Sequence, residues 1–145
     1  MGDPSIQETE KHKKRFLWRY RNNLACISRL EAKLVILDER ITTIKAPNYS
    51  GMPRGGVPVT LEDLIADKDD LERRIQKLKD KSRDLKRSIT EAIDTIEDTR
   101  YCEVLEAHFI DALDFEDIAE EMGYTERHVY TLYAEAIKCF SVPTQ

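Results

Sequence analysis

Apolar residues after Tyr20 recur at Leu24, Ile27, Leu30, Leu34, Leu37, Ile41 and Ile44, in steps of three or four that draw one stripe along a helix. No Gly or Pro interrupts the stretch before Pro47. The pattern predicts a helix from about Thr9 to Lys45, roughly 55 Å long at ~1.5 Å per residue. Such a length needs a partner, and a second stripe supplies one. Leu64, Lys68, Leu71, Ile75, Leu78, Ser82, Leu85, Ile89, Ala92 and Ile96 alternate steps of four and three without a break, a sustained heptad seam. Its start is marked by Thr60 and Asp63, an approximate capping box, and by Val59 and Leu64, a hydrophobic staple. This helix is expected over about 61–97. Of its two polar seam positions, Lys68 can reach solvent, whereas Ser82 costs some stability while discouraging other registers.

Between the two helices, residues 46–59 contain Pro47, Pro53, Pro58, Gly51, Gly55 and Gly56, enough turn formers to reverse the chain. The expectation is an antiparallel, coiled-coil-like helical hairpin, with pairing of two hairpins into a homodimer as a further option. The segment Ser50-Gly51-Met52-Pro53-Arg54-Gly55-Gly56 suits either plain reversal or a partner contact.

Residues 101–140 change rhythm. Tyr101, Val104, Leu105, His108 and Phe109 form one inward face, on which His108 reads as a core residue. Asp114 can cap a short helix with Phe115, Ile118, Ala119 and Met122 inward, and Gly123 can adopt the left-handed conformation that ends it. Tyr124 is expected to plug the corner and Thr125 to cap a final helix that buries Val129, Leu132, Ala136, Ile137 and Phe140. The small Ala119 lets the two helices approach across the turn. The sum is all-α: residues 1–97 as a basic N-terminal helix and hairpin, and 98–145 as a helix-turn-helix.

Composition narrows the function. The chain of 145 residues is 35% charged and 41% hydrophobic, with five Gly and five Pro, a balance that favours helical globular structure. No apolar run approaches the ~20 residues of a membrane span and no signal-peptide core opens the chain, so a cytoplasmic location without membrane contact is expected. Cys26, Cys102 and Cys139 are odd in number and widely spaced, which predicts reduced, mostly buried thiols and neither a disulfide framework nor a thiolate zinc site. His12, His108 and His128 are scattered, and no His-Glu-x-x-His, Gly-x-Ser-x-Gly or Gly-Lys-Ser/Thr motif occurs. No catalytic residue, metal or cofactor is expected.

Charge is unevenly spread. The net charge is −5, yet residues 98–145 hold eleven acids against three bases, a net of −8, leaving +3 for the other 97 residues. Lys11, Lys13, Lys14, Arg15, Arg19 and Arg21 crowd together, interleaved with Phe16, Trp18 and Tyr20, a pattern suited to a phosphate-binding surface.

The stretch Asp114 to Phe140, DFEDIAEEMGYTERHVYTLYAEAIKCF, resembles the helix-turn-helix of region 4 in bacterial sigma factors, with its acidic run, Gly turn, Thr cap and Ala-rich final helix. A basic aromatic start (KKRFLWRYR), two long helices around an SGMPRGG loop and this C-terminus together resemble small phage and prophage proteins of Gram-positive bacteria, near the RinA and ArpU type late transcriptional regulators. The resemblance implies a regulator of phage late genes in the bacterial cytoplasm that binds double-stranded DNA. It places Glu126, Arg127, Tyr130 and Thr131 on the groove side of the reading helix, and helical phase adds His128. Arg127 suits a bidentate contact to guanine, Tyr130 and Thr131 base edges or phosphate, and His128 the backbone.

The departures are Glu126 in the first turn, Glu135 later and a C-terminus without bases. Phosphate attraction is therefore assigned to Lys11, Lys13, Lys14, Arg15, Arg19 and Arg21, which an antiparallel hairpin brings beside the reading helix. Two alternatives stand beside this reading. One is a DNA-packaging recognition protein resembling a small terminase subunit; the other is a protein-binding adaptor that docks its acidic surface on RNA polymerase.

Overall fold

The computed structural model describes the backbone of residues 4–45 and 60–144, with side chains from Thr9 onward. The expected reversal at 46–59, its SGMPRGG segment and Val59 of the staple lie outside the described residues. Among the described residues the regular elements are all helical: α1 (Pro4–Lys45), α2 (Leu61–Ile93), α3 (Thr99–Phe109), α4 (Phe115–Met122) and α5 (Glu126–Cys139). None is long and apolar enough to cross a membrane. α1 begins at Pro4, earlier than its stripe suggested, where proline's fixed φ and missing N–H suit a first helical position. Packing divides the chain into two compact units, Leu24–Lys81 and the residues up to Asn23 together with those from Ser82 onward.

In the first unit, Ile27, Leu30 and Ile75 are buried and Leu34, Leu71 and Leu78 pack against them. Lys79 pairs with Glu31 at 3.3 Å and Lys68 with Asp38 at 2.8 Å, joining later residues of α2 to earlier ones of α1, so the helices run antiparallel. Hydrogen bonding to Asp38 holds the Lys68 ammonium above its ordinary pKa. Exposed pairs of this kind are screened by water and contribute little to stability, so the apolar seam fixes the register. The capping box forms reciprocally, with the Asp63 amide donating to Thr60 Oγ1 at 3.1 Å and the Thr60 amide to Asp63 Oδ2 at 3.4 Å. Two expected seam positions are exposed, Leu24 at 39% and Ile44 at 47%. Leu24 precedes Ile27 by three residues and so sits about 60° round the helix from it, and Ile44 lies in the last turn.

In the second unit, Leu17 of α1 is fully buried among Ile89, Ala92 and Ile93 of α2, Leu105 and Phe109 of α3, and Ala136, Ile137 and Phe140 around the end of α5. Val104, Ile118, Ala119, Val129 and Leu132 form a second cluster between α3, α4 and α5. Ser82 is less of a liability than its seam position implied, because the Asn23 side-chain amide donates to its Oγ at 2.7 Å, satisfying two buried polar groups at once.

α2 stops at Ile93 rather than near residue 97. The Thr95 and Ile96 amides turn back to the Ala92 and Ile93 carbonyls, and Asp98 caps α3 by accepting from the Arg100 amide at 2.9 Å. Ile96 remains packed against the core, so the heptad step persists in sequence although the helix has ended. Cys102 closes the same turn, its thiol donating to the Ile93 and Ile96 carbonyls at 3.4 and 3.3 Å. Burial pushes that thiol's pKa up. The expectation of mostly buried thiols is corrected: Cys26 and Cys102 are half-buried and Cys139, on the outer side of the last helical turn, is exposed.

Candidate nucleic-acid interface

Each end of the α4–α5 pair is set by one residue. Asp114 caps α4, its carboxylate accepting from the Asp117 amide at 2.8 Å. Gly123 ends it with φ of 72°, and the Tyr124 amide returns to the Ala119 carbonyl at 2.9 Å. A Cβ at Gly123 would meet nothing within 4 Å, so backbone conformation and not space calls for glycine there. Thr125 caps α5, its Oγ1 accepting from the His128 amide at 3.1 Å. Tyr124 does not plug the corner as expected: it is 36% exposed and its ring lies 4.7 Å from that of His128. Tyrosine can place its polar edge in water and its flat face on a neighbour.

Val129, Leu132, Ala136 and Ile137 anchor α5 inward. Glu126, Arg127, His128, Tyr130 and Thr131 are exposed together on the other side. The Arg127 guanidinium has no ion pair or side-chain hydrogen bond among the described residues, while Thr131 Oγ1 donates to the Arg127 carbonyl at 3.2 Å. Tyr130 is 51% exposed, with its ring 4.5 Å from Phe115. Of the adverse acids, Glu135 accepts from the Tyr101 hydroxyl at 2.7 Å, which raises the pKa of that phenol.

Behind this face sits an aromatic cluster built on His108. Its ring stacks on Phe115 at 4.7 Å and meets Trp18, Phe109 and Tyr133 edge-on. Nδ1 lies 3.1 Å from the Leu113 carbonyl, an acceptor, so Nδ1 carries the proton. Burial chiefly, and the nearby Arg21 charge, lower the pKa of His108 against that hydrogen bond. Sequence reasoning found the residue but not its bond across the α3–α4 turn, where Ala112 adopts φ of 60°.

The basic stretch of α1 divides. Lys11, Arg15 and Arg19 are exposed. Lys13 Nζ donates to the Ile137 and Lys138 carbonyls, both at 3.1 Å, at the end of α5. Arg21 donates to the His108 carbonyl at 3.1 Å and covers the Trp18 ring at 4.5 Å. Lys14 Nζ lies 5.9 Å from the centre of the Tyr133 ring. As polar residues all six bases count equally; only their spacing from Leu17, four residues on either side for Lys13 and Arg21, separates them in the sequence. A shallow depression of about 300 Å³ between α3 and α4 is lined by Glu103, Glu106, Asp111 and Glu121 around Ile118 and Met122. Among the described residues no three His, Cys, Asp or Glu side chains gather to hold a metal ion.

Residues 50–141, more than half of the chain, match the family described as "Protein of unknown function (DUF1492)". The chain belongs to the DUF1492 family. No curated protein and no solved structure matches it. The matched span carries α2 to α5, so this DUF1492 chain presents its helix-turn-helix inside the family region while Leu17, Lys13 and Arg21 reach it from α1.

Proposed function

We propose that this DUF1492 protein is a sequence-specific, double-stranded-DNA-binding transcriptional regulator of the phage late-gene kind, reading the major groove with α5. The observation that carries this reading is the uncovered outer face of α5, where Arg127, Tyr130 and Thr131 stand exposed on a helix whose opposite side is locked by Val129, Leu132 and Ala136. That is the presentation a reading helix needs, with base-reaching side chains on a rigid support. The exposed Lys11, Arg15 and Arg19 offer the phosphate attraction that the acidic C-terminal region lacks.

Selection of bound fragments from a phage genome at stated salt tests the reading. Enrichment of intergenic promoter fragments, lost in Arg127→Ala, is the expected result. A second reading, an adaptor that docks on RNA polymerase, is favoured by the acid-lined depression between α3 and α4. Retained polymerase binding with no enrichment of any DNA selects it.

A further inference from the structure

Two series of residues spaced by four interleave on α1. Lys13, Leu17 and Arg21 form one, Lys11, Arg15 and Arg19 the other. They are offset by two residues, about 200° of helical turn, and so occupy opposite sides of the helix. Leu17 is fully buried in the core that holds α3 and α5, and the bases one turn before and after it both end on helix carbonyls. The other series faces outward.

The last carbonyls of a helix have no partner within it. α5 ends without a left-handed residue, since Phe140 is extended at φ of −71° and ψ of 137° and its amide serves only the Ala136 carbonyl. The Ile137 and Lys138 carbonyls are taken by the Lys13 ammonium, and at the end of α3 the His108 carbonyl is taken by Arg21. A cation at each C-terminus also offsets the negative end of the helix dipole. Turning either base toward a phosphate would strip those carbonyls of their donor, whereas Lys11, Arg15 and Arg19 are exposed and make no such bond among the described residues.

We propose that Lys13 and Arg21 are positioning residues, holding the ends of α5 and α3 so that the reading face keeps its angle, and that Lys11, Arg15 and Arg19 alone of these five meet the DNA backbone. This rests on the DNA-reading proposal above and adds a division of labour within the basic stretch.

The test uses the full chain, mixed-sequence duplex DNA of about 30 base pairs and a salt titration, in which each lost phosphate contact reduces the slope of log K against log[salt] by about 0.9. Lys11→Gln, Arg15→Gln and Arg19→Gln are expected to reduce the slope by about that amount each, and by about 2.7 in combination. Lys13→Met and Arg21→Met are expected to leave the slope unchanged. Instead they speed amide exchange in the last turn of α5 or α3 and narrow the preference for an enriched fragment over mixed sequence. Lys13→Arg, which keeps a donor and a charge, restores both. Lys13→Gln serves if the Met variant fails to fold. A slope reduced by about 0.9 in Lys13→Met or Lys13→Gln, with α5 exchange unchanged, overturns the assignment. Absence of any DNA binding by the unmodified chain overturns the DNA-reading proposal itself, whereas faster exchange in Lys13→Met is measured without DNA and separates the two failures.

Discussion

The imidazole of His108 spends its Nδ1 proton on the Leu113 carbonyl and packs among Trp18, Phe109, Phe115 and Tyr133. A second proton would put a charge into that apolar cluster with the Arg21 guanidinium nearby, which is why its pKa is held below the ordinary 6.5. The unfolded chain then binds the proton more readily than the folded one. The stability owed to neutral His108 is complete above pH 6.5 and is lost as pH falls toward and through the lower, folded-state value. Denaturant midpoints measured from pH 7 to about pH 5 should fall, and the fall should flatten in His108→Phe. The residue's inward position was legible from its spacing with Val104 and Leu105. Its bond to Leu113 was not, since the turn between them runs through Ala112 in a left-handed conformation that an alanine does not signal.

At the scale of elements, the α4–α5 turn was the most legible part of the chain, because Asp114, Gly123 and Thr125 are residue types whose local bonding options are few. Gly123→Ala should cost about 1 kcal/mol through the left-handed backbone alone, and Thr125→Ala about 1 kcal/mol through the lost cap on α5. Urea unfolding of each variant measures this, and an unchanged midpoint in both would mean that the turn is held by packing instead. The end of α2 was misjudged for a related reason. Ile96 keeps its place against the core after the helix has stopped, so apolar spacing continues where hydrogen bonding does not, and the Asp98 cap is what marks the break. The roles of Lys13 and Arg21 were hidden too, since a long cationic side chain can lie along apolar surface and end on a distant carbonyl while reading as solvent-exposed.

At the scale of the molecule, the unit that carries α5 is assembled from separated stretches of chain: the start of α1, the end of α2 and α3 to α5. Leu17→Ala should therefore destabilise that unit by about 2–5 kcal/mol, as other buried Leu truncations do, and thermal melts followed by amide exchange should show the loss spreading into α5. The all-helical class and the antiparallel pair were legible because periodicity reports burial directly. The inclusion of α1 in the same core as α3 and α5 was not, because nothing local to Leu17 distinguishes its partners. The central claim is that Arg127 and its neighbours on α5 read bases. Competition binding of an enriched promoter fragment against mixed-sequence DNA at fixed salt tests it most directly. Arg127→Ala is predicted to fold normally and to cut the preference by about 1–3 kcal/mol, roughly five- to 150-fold; an unaltered preference in the folded variant would contradict the account.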